Sequence, residues 1–324
     1  MGCVCGKEVV TISGKNYVIR DKIGEGGFSI VNLVEDTIYH KTYALKTLTC
    51  HSKADLKTAL QEVAFHKQLH HPAILQCLGS EVTGEPDIAA NVTCDVYILL
   101  PFLPGGTLHD DLSSRAAARR HLAEPEVLRM FAAVCEGVRS MHESQPPLAH
   151  RDLKTANVLL TADRQPVIMD LGMMDGKGQR SMAEARVEVE TSAQARQLQD
   201  LCAERCSMPY RAPELFNVQA GDRIDERTDI WSLGCLLYAL CFFKSPFDAA
   251  YERGDSVALA VLAGTVHVPE DSPYSQSLID LIRHMLSVSA ADRPFIGDVL
   301  QLTRAVASQH GDHAQLDSGR AVAT

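Results

Sequence analysis

No stretch of this chain is apolar for long enough to cross a bilayer. The longest such run, residues 230–243, stops short of the roughly 20 residues that a spanning helix takes. Flanked by Asp229 and Lys244, it reads as a helix buried in a core. An excess of positive charge is also missing. Lys and Arg total 31 against 41 Asp and Glu, a net charge of −10, so the chain lacks the basic face that a nucleic-acid partner would ask for. The ten cysteines include no C-x-x-C pair and fall singly, mostly in apolar runs, which argues against a disulfide framework. Buried thiols in a reducing compartment are expected, and the sequon Asn91-Val92-Thr93 then carries no sugar. Residues 1–10 have no apolar stretch behind a basic start, so no signal peptide is expected. What remains is ordinary globular material: 324 residues, 46% hydrophobic and 22% charged, enough for one large or two moderate domains.

The most informative stretch is 150–172. Two short apolar runs, 158–160 and 167–169, flank the polar residues 161–165 and predict a hairpin. A carboxylate precedes it, Asp152, and another follows it, Asp170, with Asn157 between. Oxygen-bearing side chains at one mouth suit a hard cation such as Mg²⁺ and the phosphates it accompanies. Upstream, the glycines of residues 24–29 lie between two predicted strands, where backbone N–H groups can approach phosphate oxygens with no Cβ in the way. A dinucleotide-binding turn would open a helix instead, and here a strand follows. Lys46 lies in the apolar strand Tyr43-Ala44-Leu45-Lys46, which predicts a buried ammonium in need of a counter-charge. Residues 55–69 read as a helix with Leu56, Leu60, Val63 and Leu69 on its apolar stripe and Glu62 among them; Glu81, Glu85 and Asp87 read as solvated turn residues. Helices are also expected at 125–143, with Val127, Phe131, Val134 and Val138 inward, and at 192–205, with Leu198, Leu201 and Cys202 on one face. Residues 307–324 show no period and are expected to be disordered.

Three strings, H-R-D-L-K-T-A-N at 150–157, D-L-G at 170–172 and A-P-E at 212–214, resemble the catalytic, metal-binding and A-P-E signatures of eukaryotic protein kinases. The resemblance implies an α+β fold of two lobes: a small β-rich N-lobe with one main helix and a large, mostly helical C-lobe. It implies ATP and Mg²⁺ as cofactors and protein Ser/Thr hydroxyls as substrates, with autophosphorylation. By position, Asp152 would accept the substrate proton, Lys154 would neutralise the transferring phosphoryl, and Lys46 paired with Glu62 would hold phosphates. Asn157 and Asp170 would hold the metal. Nucleotide contacts fall on Ile23, Gly24, Glu25, Gly26, Gly27, Phe28, Ser29, Val31, Ala44, Leu100, Pro101, Leu103 and Leu159. Leu100 would be the gatekeeper, while the Pro101 carbonyl and Leu103 amide would bond adenine. Ser207 would lie in the substrate loop, Asp229 would hold the catalytic-loop backbone, and Glu214 would pair with Arg293. His150 and Leu171 are expected to pack rather than react.

The long interval from Asp170 to Glu214, with its extra helix, resembles the Numb-associated kinase family. Within that family, G-E-G-G-F-S at 24–29, L-L-P-F at 99–102, D-E-R-T-D-I-W-S-L-G at 225–234 and G-D-S-V-A-L-A-V at 254–261 resemble its acylated branch. That branch implies a myristoyl group on Gly2 and palmitoyl groups on Cys3 and Cys5, although Gly6 stands where Ser or Thr is usual. One myristoyl chain binds membranes only marginally, and no polybasic patch follows, so palmitate would supply the second anchor. An unmodified tail with two idle thiols is the alternative. The resemblance implies a monomer on the cytoplasmic face of membranes, Golgi or perinuclear, with a cytosolic pool. It divides the chain into an acylation tail, 1–16, a kinase domain, 17–306 (N-lobe and hinge 17–103, C-lobe 104–306), and the tail 307–324. The extra helix would hold its segment in place without obligatory phosphorylation. A competing expectation is a membrane-tethered pseudokinase scaffold, which would lack one of the catalytic Lys, Asp or Asn residues.

Overall fold

Alternating side chains in the first hundred residues build a sheet, and longer apolar periods afterwards build helices. The computed structural model describes residues 8–26, 29–171 and 185–318. These form two compact units: the first runs to Pro104 and takes back Asp170 and Leu171, while the second holds Gly105–Met169 and the chain from Ala185.

The first unit contains β1 (Val9–Ile12), β2 (Lys15–Gly26), β3 (Ser29–Asp36), β4 (Thr42–Cys50), α1 (Lys53–Gln68), β5 (Gly79–Thr83) and β6 (Cys94–Pro101). The strands form one antiparallel sheet in the order β1-β2-β3-β4-β6-β5. One face closes on Ile12, Tyr17, Val34, Leu45 and Leu99, with the Tyr17 and Tyr43 rings edge to face at 5.7 Å. Because successive strand residues point to opposite faces, Leu45 on that core sends Lys46 to the other side, toward α1. Helix α1 starts on a capping box, Ser52 with Asp55, which satisfies its first N–H groups. Its buried positions are Ala59, Glu62, Val63 and His66; of the expected stripe, Val63 and Leu69 are buried and Leu56 half-buried, while Leu60 stays 44% exposed. Two polar residues, Glu62 and His66, share the inward face with that stripe, and of the stripe only Leu60 points outward. Glu81 belongs to β5 rather than to a turn, though it is exposed as expected.

The second unit opens with α2 (Leu108–Ala117) and α3 (Glu124–His142), then the hairpin β7 (Val158–Leu160) and β8 (Pro166–Ile168). Next come β9 (Val187–Glu188), α4 (Ser192–Arg205) and β10 (Arg223–Ile224), which pairs with β9. The remaining helices are α5 (Arg227–Phe242), α6 (Asp248–Arg253), α7 (Val257–Ala263), α8 (Gln276–Met285) and α9 (Ile296–Ser318). Helix α5 is apolar all round and is buried at nearly every position from Thr228 to Cys241, as expected of a helix with no solvent face. Its Trp231 stacks on Phe247 at 5.6 Å. Gly234 lets α8 approach, since a Cβ there would lie 2.9 Å from Leu286. Gly105 is required more strictly still: a Cβ would lie 2.4 Å from the Leu160 carbonyl oxygen, beside the bridge of Thr107 to Leu159.

Helix α4 has the bounds expected, with Thr191 and Gln194 as a capping box and Ala195 and Cys202 buried. Chain order beyond 306 differs from expectation, because α9 continues to Ser318. Lengthening an existing helix needs one hydrogen bond per residue and no buried face, so the loss of period past Val306 did not end it.

Candidate active site

The candidate residues gather into two clusters, one in each unit. In the first, register places Val31 and Ile98 opposite Lys46 and Leu100 opposite Ala44, so these side chains share the sheet face that α1 covers. Lys46 Nζ donates to Glu62 Oε1 at 2.8 Å and to Asp170 Oδ1 at 3.0 Å. Burial works against the ammonium, but the Glu62 and Asp170 carboxylates outweigh it and hold the Lys46 pKa above the ordinary lysine value. His66, one turn beyond Glu62, bonds the Leu75 carbonyl through Nδ1 at 3.1 Å, and burial keeps its pKa below the usual histidine value. The β2–β3 turn is paired Gly24 to Val31, Glu25 to Ile30 and Gly26 to Ser29, with Ile23 45% exposed. Pro101 ends β6 opposite Tyr43, and Leu103 follows it half-buried. Gly27 and Phe28 lie outside the described residues, as do Gly2, Cys3 and Cys5.

In the second unit, Asp152 is buried and accepts three donors. Ser207 N–H donates to Oδ1 at 2.8 Å, and Asn157 Nδ2 donates to Oδ2 at 2.9 Å. The Lys154 ammonium stands 2.9 Å from Oδ2 and also donates to Ser207 Oγ at 2.6 Å. Asn157 Nδ2 is shared with the Asp152 carbonyl at 2.9 Å, which fixes its amide. Leu159 sits on β7, bridged to Thr107.

The loop carrying Asp152 is shaped from below by α5. Asp229, with no exposure, accepts the N–H groups of His150 and Arg151 at 2.7 Å each and the His142 Nε2 at 2.9 Å. Burial would raise its pKa, but the His142 bond and the backbone donors win and lower it. Arg151 takes a left-handed φ of 59°, and the two amide bonds to Asp229 flank that turn. His150 is buried; its Nδ1 accepts Asp152 N–H at 3.3 Å, so Nε2 carries the proton and donates to the Met169 carbonyl at 3.0 Å. Leu171 is buried too. Glu214 is held by Arg293 through two parallel bonds.

Two residues of these clusters escaped sequence reasoning. His142 closes a helix read only as core, and nothing in its neighbourhood marks it. His66 carried a usable signal, since it follows Glu62 by one helical turn. Among the described residues, no group of three or more His, Cys, Asp or Glu forms a metal site. Asn157 and Asp170 carry hard oxygen donors of the kind Mg²⁺ prefers, whose remaining ligands would be phosphate oxygens and water.

A sequence profile of the protein kinase domain matches residues 17–303. Serine/threonine-protein kinase 16 of Rattus norvegicus is 40% identical over 304 residues, covering 94% of each chain. The human protein of that name is 40% identical over 294 residues, 91% of each. Serine/threonine-protein kinase ppk13 of Schizosaccharomyces pombe is 29% identical over 325 residues, 90% of this chain and 91% of its own. A β-rich first unit with the Lys46 ammonium held by two carboxylates, a helical second unit with the Asp152 cluster, and these matches along nearly the whole length lead to one assignment: the chain belongs to the protein kinase domain family.

Proposed function

We propose that this protein is a serine/threonine protein kinase that transfers the γ-phosphoryl group of ATP to protein hydroxyls, its own included. The observation that carries the reading is Asp152: a buried carboxylate with the Lys154 ammonium 2.9 Å away. A carboxylate so placed orients an attacking hydroxyl and accepts its proton, and the ammonium offsets the charge on the phosphoryl oxygens. Lys46, kept charged by Glu62, grips the nucleotide phosphates, and the glycine turn at 24–29 offers them backbone N–H groups. Ile23, Val31, Ala44, Leu100 and Leu159 supply apolar surface for adenine, and the Pro101 carbonyl and Leu103 N–H supply its polar edge. Asn157 and Asp170 are the residues to hold Mg²⁺, which supplies charge neutralisation and orientation of the phosphate oxygens.

The scaffold alternative is not favoured, because Lys46, Glu62, Asp152, Lys154, Asn157 and Asp170 are all present. The test is Mg-ATP-dependent phosphorylation across a peptide array. Asp152→Asn and Lys46→Met should each lower the rate by roughly 10² or more; either variant working at the parent's rate sinks the role assignments.

The finer reading places the chain in the acylated branch of the Numb-associated kinases, monomeric and anchored to the cytoplasmic face of Golgi or perinuclear membranes. It is supported by the sequence strings at 24–29, 225–234 and 254–261 and by the Gly2, Cys3 and Cys5 pattern. Gly2→Ala, or Cys3→Ser with Cys5→Ser, should move the full chain from the membrane fraction of cells to the soluble one. Unchanged fractionation would point to another tether.

A further inference from the structure

Among the described residues, Cys50 with Cys94 and Cys202 with Cys206 are neighbouring thiols, and their surroundings differ in kind. Cys50 and Cys94 face each other across β4 and β6, both buried. Burial, with Cys94 and the carboxylates of Asp55 and Asp95 nearby, pushes the Cys50 thiol up to about 12, so it stays protonated and inert. Cys202 and Cys206 lie four residues apart at the end of α4, where the Cys206 N–H bonds the Cys202 carbonyl at 3.0 Å. A rise of 1.5 Å per residue separates their Cα atoms by about 6 Å, inside the range that a disulfide spans. Cys206 has left the helix, in extended conformation, so a shift there breaks only its cap bond within α4. Two arginines serve this pair: Arg211 Nη2 donates to the Cys206 carbonyl at 2.8 Å, and buried Arg151 lies near Cys202.

We propose that Cys202 and Cys206 form a reversible disulfide under hydrogen peroxide, and that this bond turns off phosphoryl transfer by pulling Ser207 away from Asp152. The consequence for activity rests on the kinase reading above; the bond itself does not. A hydrogen bond from the Cys206 thiol, with the charges of Arg151 and Arg211, holds the Cys202 thiol below the ordinary cysteine value despite burial. The Cys206 thiol, hydrogen-bonded to Cys202 and buried, is pushed well up. Cys202 is therefore the attacking sulfur. Its thiolate takes one peroxide oxygen, the O–O bond breaks, and the departing hydroxide collects a proton as water, leaving a sulfenic acid. Cys206 sulfur then attacks Cys202 sulfur; hydroxide leaves, takes the Cys206 proton and departs as a second water. Two thiols and one peroxide become one disulfide and two waters. Peroxide is small and uncharged, and the last turn of a helix opens more readily than its middle.

Ser207 transmits the change, since its N–H donates to Asp152 Oδ1 at 2.8 Å and its hydroxyl takes the Lys154 ammonium at 2.6 Å. Displacing a positioned group by about an ångström costs up to roughly 10²-fold in rate. The experiment treats the full chain with hydrogen peroxide, quenches it, and reads peptide mass mapping and turnover in parallel. Expected are a peptide carrying a 202–206 link two hydrogens lighter, a fall in turnover of at least about tenfold, recovery with dithiothreitol, and neither effect in Cys202→Ser. The proposal is overturned if mapping finds no 202–206 link in the parent, or if Cys202→Ser loses activity to peroxide as the parent does. A parent without turnover before treatment refutes the kinase reading instead, and the mapped link then still decides the thiol chemistry.

Discussion

Arg293 grips Glu214 with both arms of its guanidinium, Nη1 to Oε1 at 2.8 Å and Nη2 to Oε2 at 2.6 Å. Its remaining donors reach the carbonyls of Ser287, Val288 and Arg227, and the whole lies over the Trp231 ring at 5.2 Å. Arg293 has no exposed side-chain surface and Glu214 only 18%, so removing either partner leaves a largely buried charge without its counter-charge. Arg293→Leu should cost about 3–5 kcal/mol. Arg293→Lys should recover little of it, because a point charge cannot make the fork. Chemical denaturation of the two variants checks both.

The proposed role of Glu62 predicts a loss of function rather than of stability when it changes, since Asp170 still faces Lys46 at 3.0 Å. Glu62→Gln keeps a polar group of similar size at 2.8 Å from the ammonium but removes its counter-charge. Turnover should fall by roughly 10-fold to 10³-fold, while melting moves little. A loss of stability as large as that of Arg293→Leu, with turnover kept, would contradict this division.

Asp229 makes folding sensitive to acid. Its folded pKa lies below the ordinary 3.8, so the unfolded chain binds its proton first as pH falls. The contribution of Asp229 is thus fully present above that ordinary value and disappears as pH drops through the lowered folded one. Asp229→Asn should be less stable than the parent at neutral pH, and the gap should narrow in strong acid. Denaturation curves measured between neutral and acid pH read this directly.

Helix α4 should keep its segment ordered without phosphorylation. Its capping box and buried Ala195 and Cys202 are all supplied by the chain itself, and Gln199 Oε1 accepts the Val218 N–H at 3.2 Å. Bacterially made, phosphatase-treated protein should retain most of its turnover. Thr191→Ala, which deletes the cap, should cost about 1 kcal/mol; abolition of turnover by phosphatase alone would show that the helix is insufficient.

Elements whose pattern is local were legible in the sequence. The bounds of α4 match the expected 192–205, the hairpin flanks its polar turn, and α3 falls one residue from expectation at each end. The pairing of Lys46 with Glu62, and of Arg293 with Glu214, was anticipated from resemblance. What could not be read were contacts made by residues whose spacing carries no period. His142 meets Asp229 across 87 positions of chain. In α1 the apolar stripe held at Val63 and Leu69 and failed at Leu60, because part of the inward face goes to Glu62 and His66. Hydrophobic patterning finds cores, and it is blind to a polar side chain buried in order to act.

Arg151 carries one further implication. A non-glycine residue at φ 59° sits above its own conformational minimum by roughly 1–2 kcal/mol. The two amide bonds to Asp229 hold it there, and the turn sets the direction in which the next residue leaves. A sequence optimised only for endurance would write glycine at this place. The molecule keeps the tension, and with it a loop whose geometry survives changes to its outward side chains as long as the acid beneath it stays.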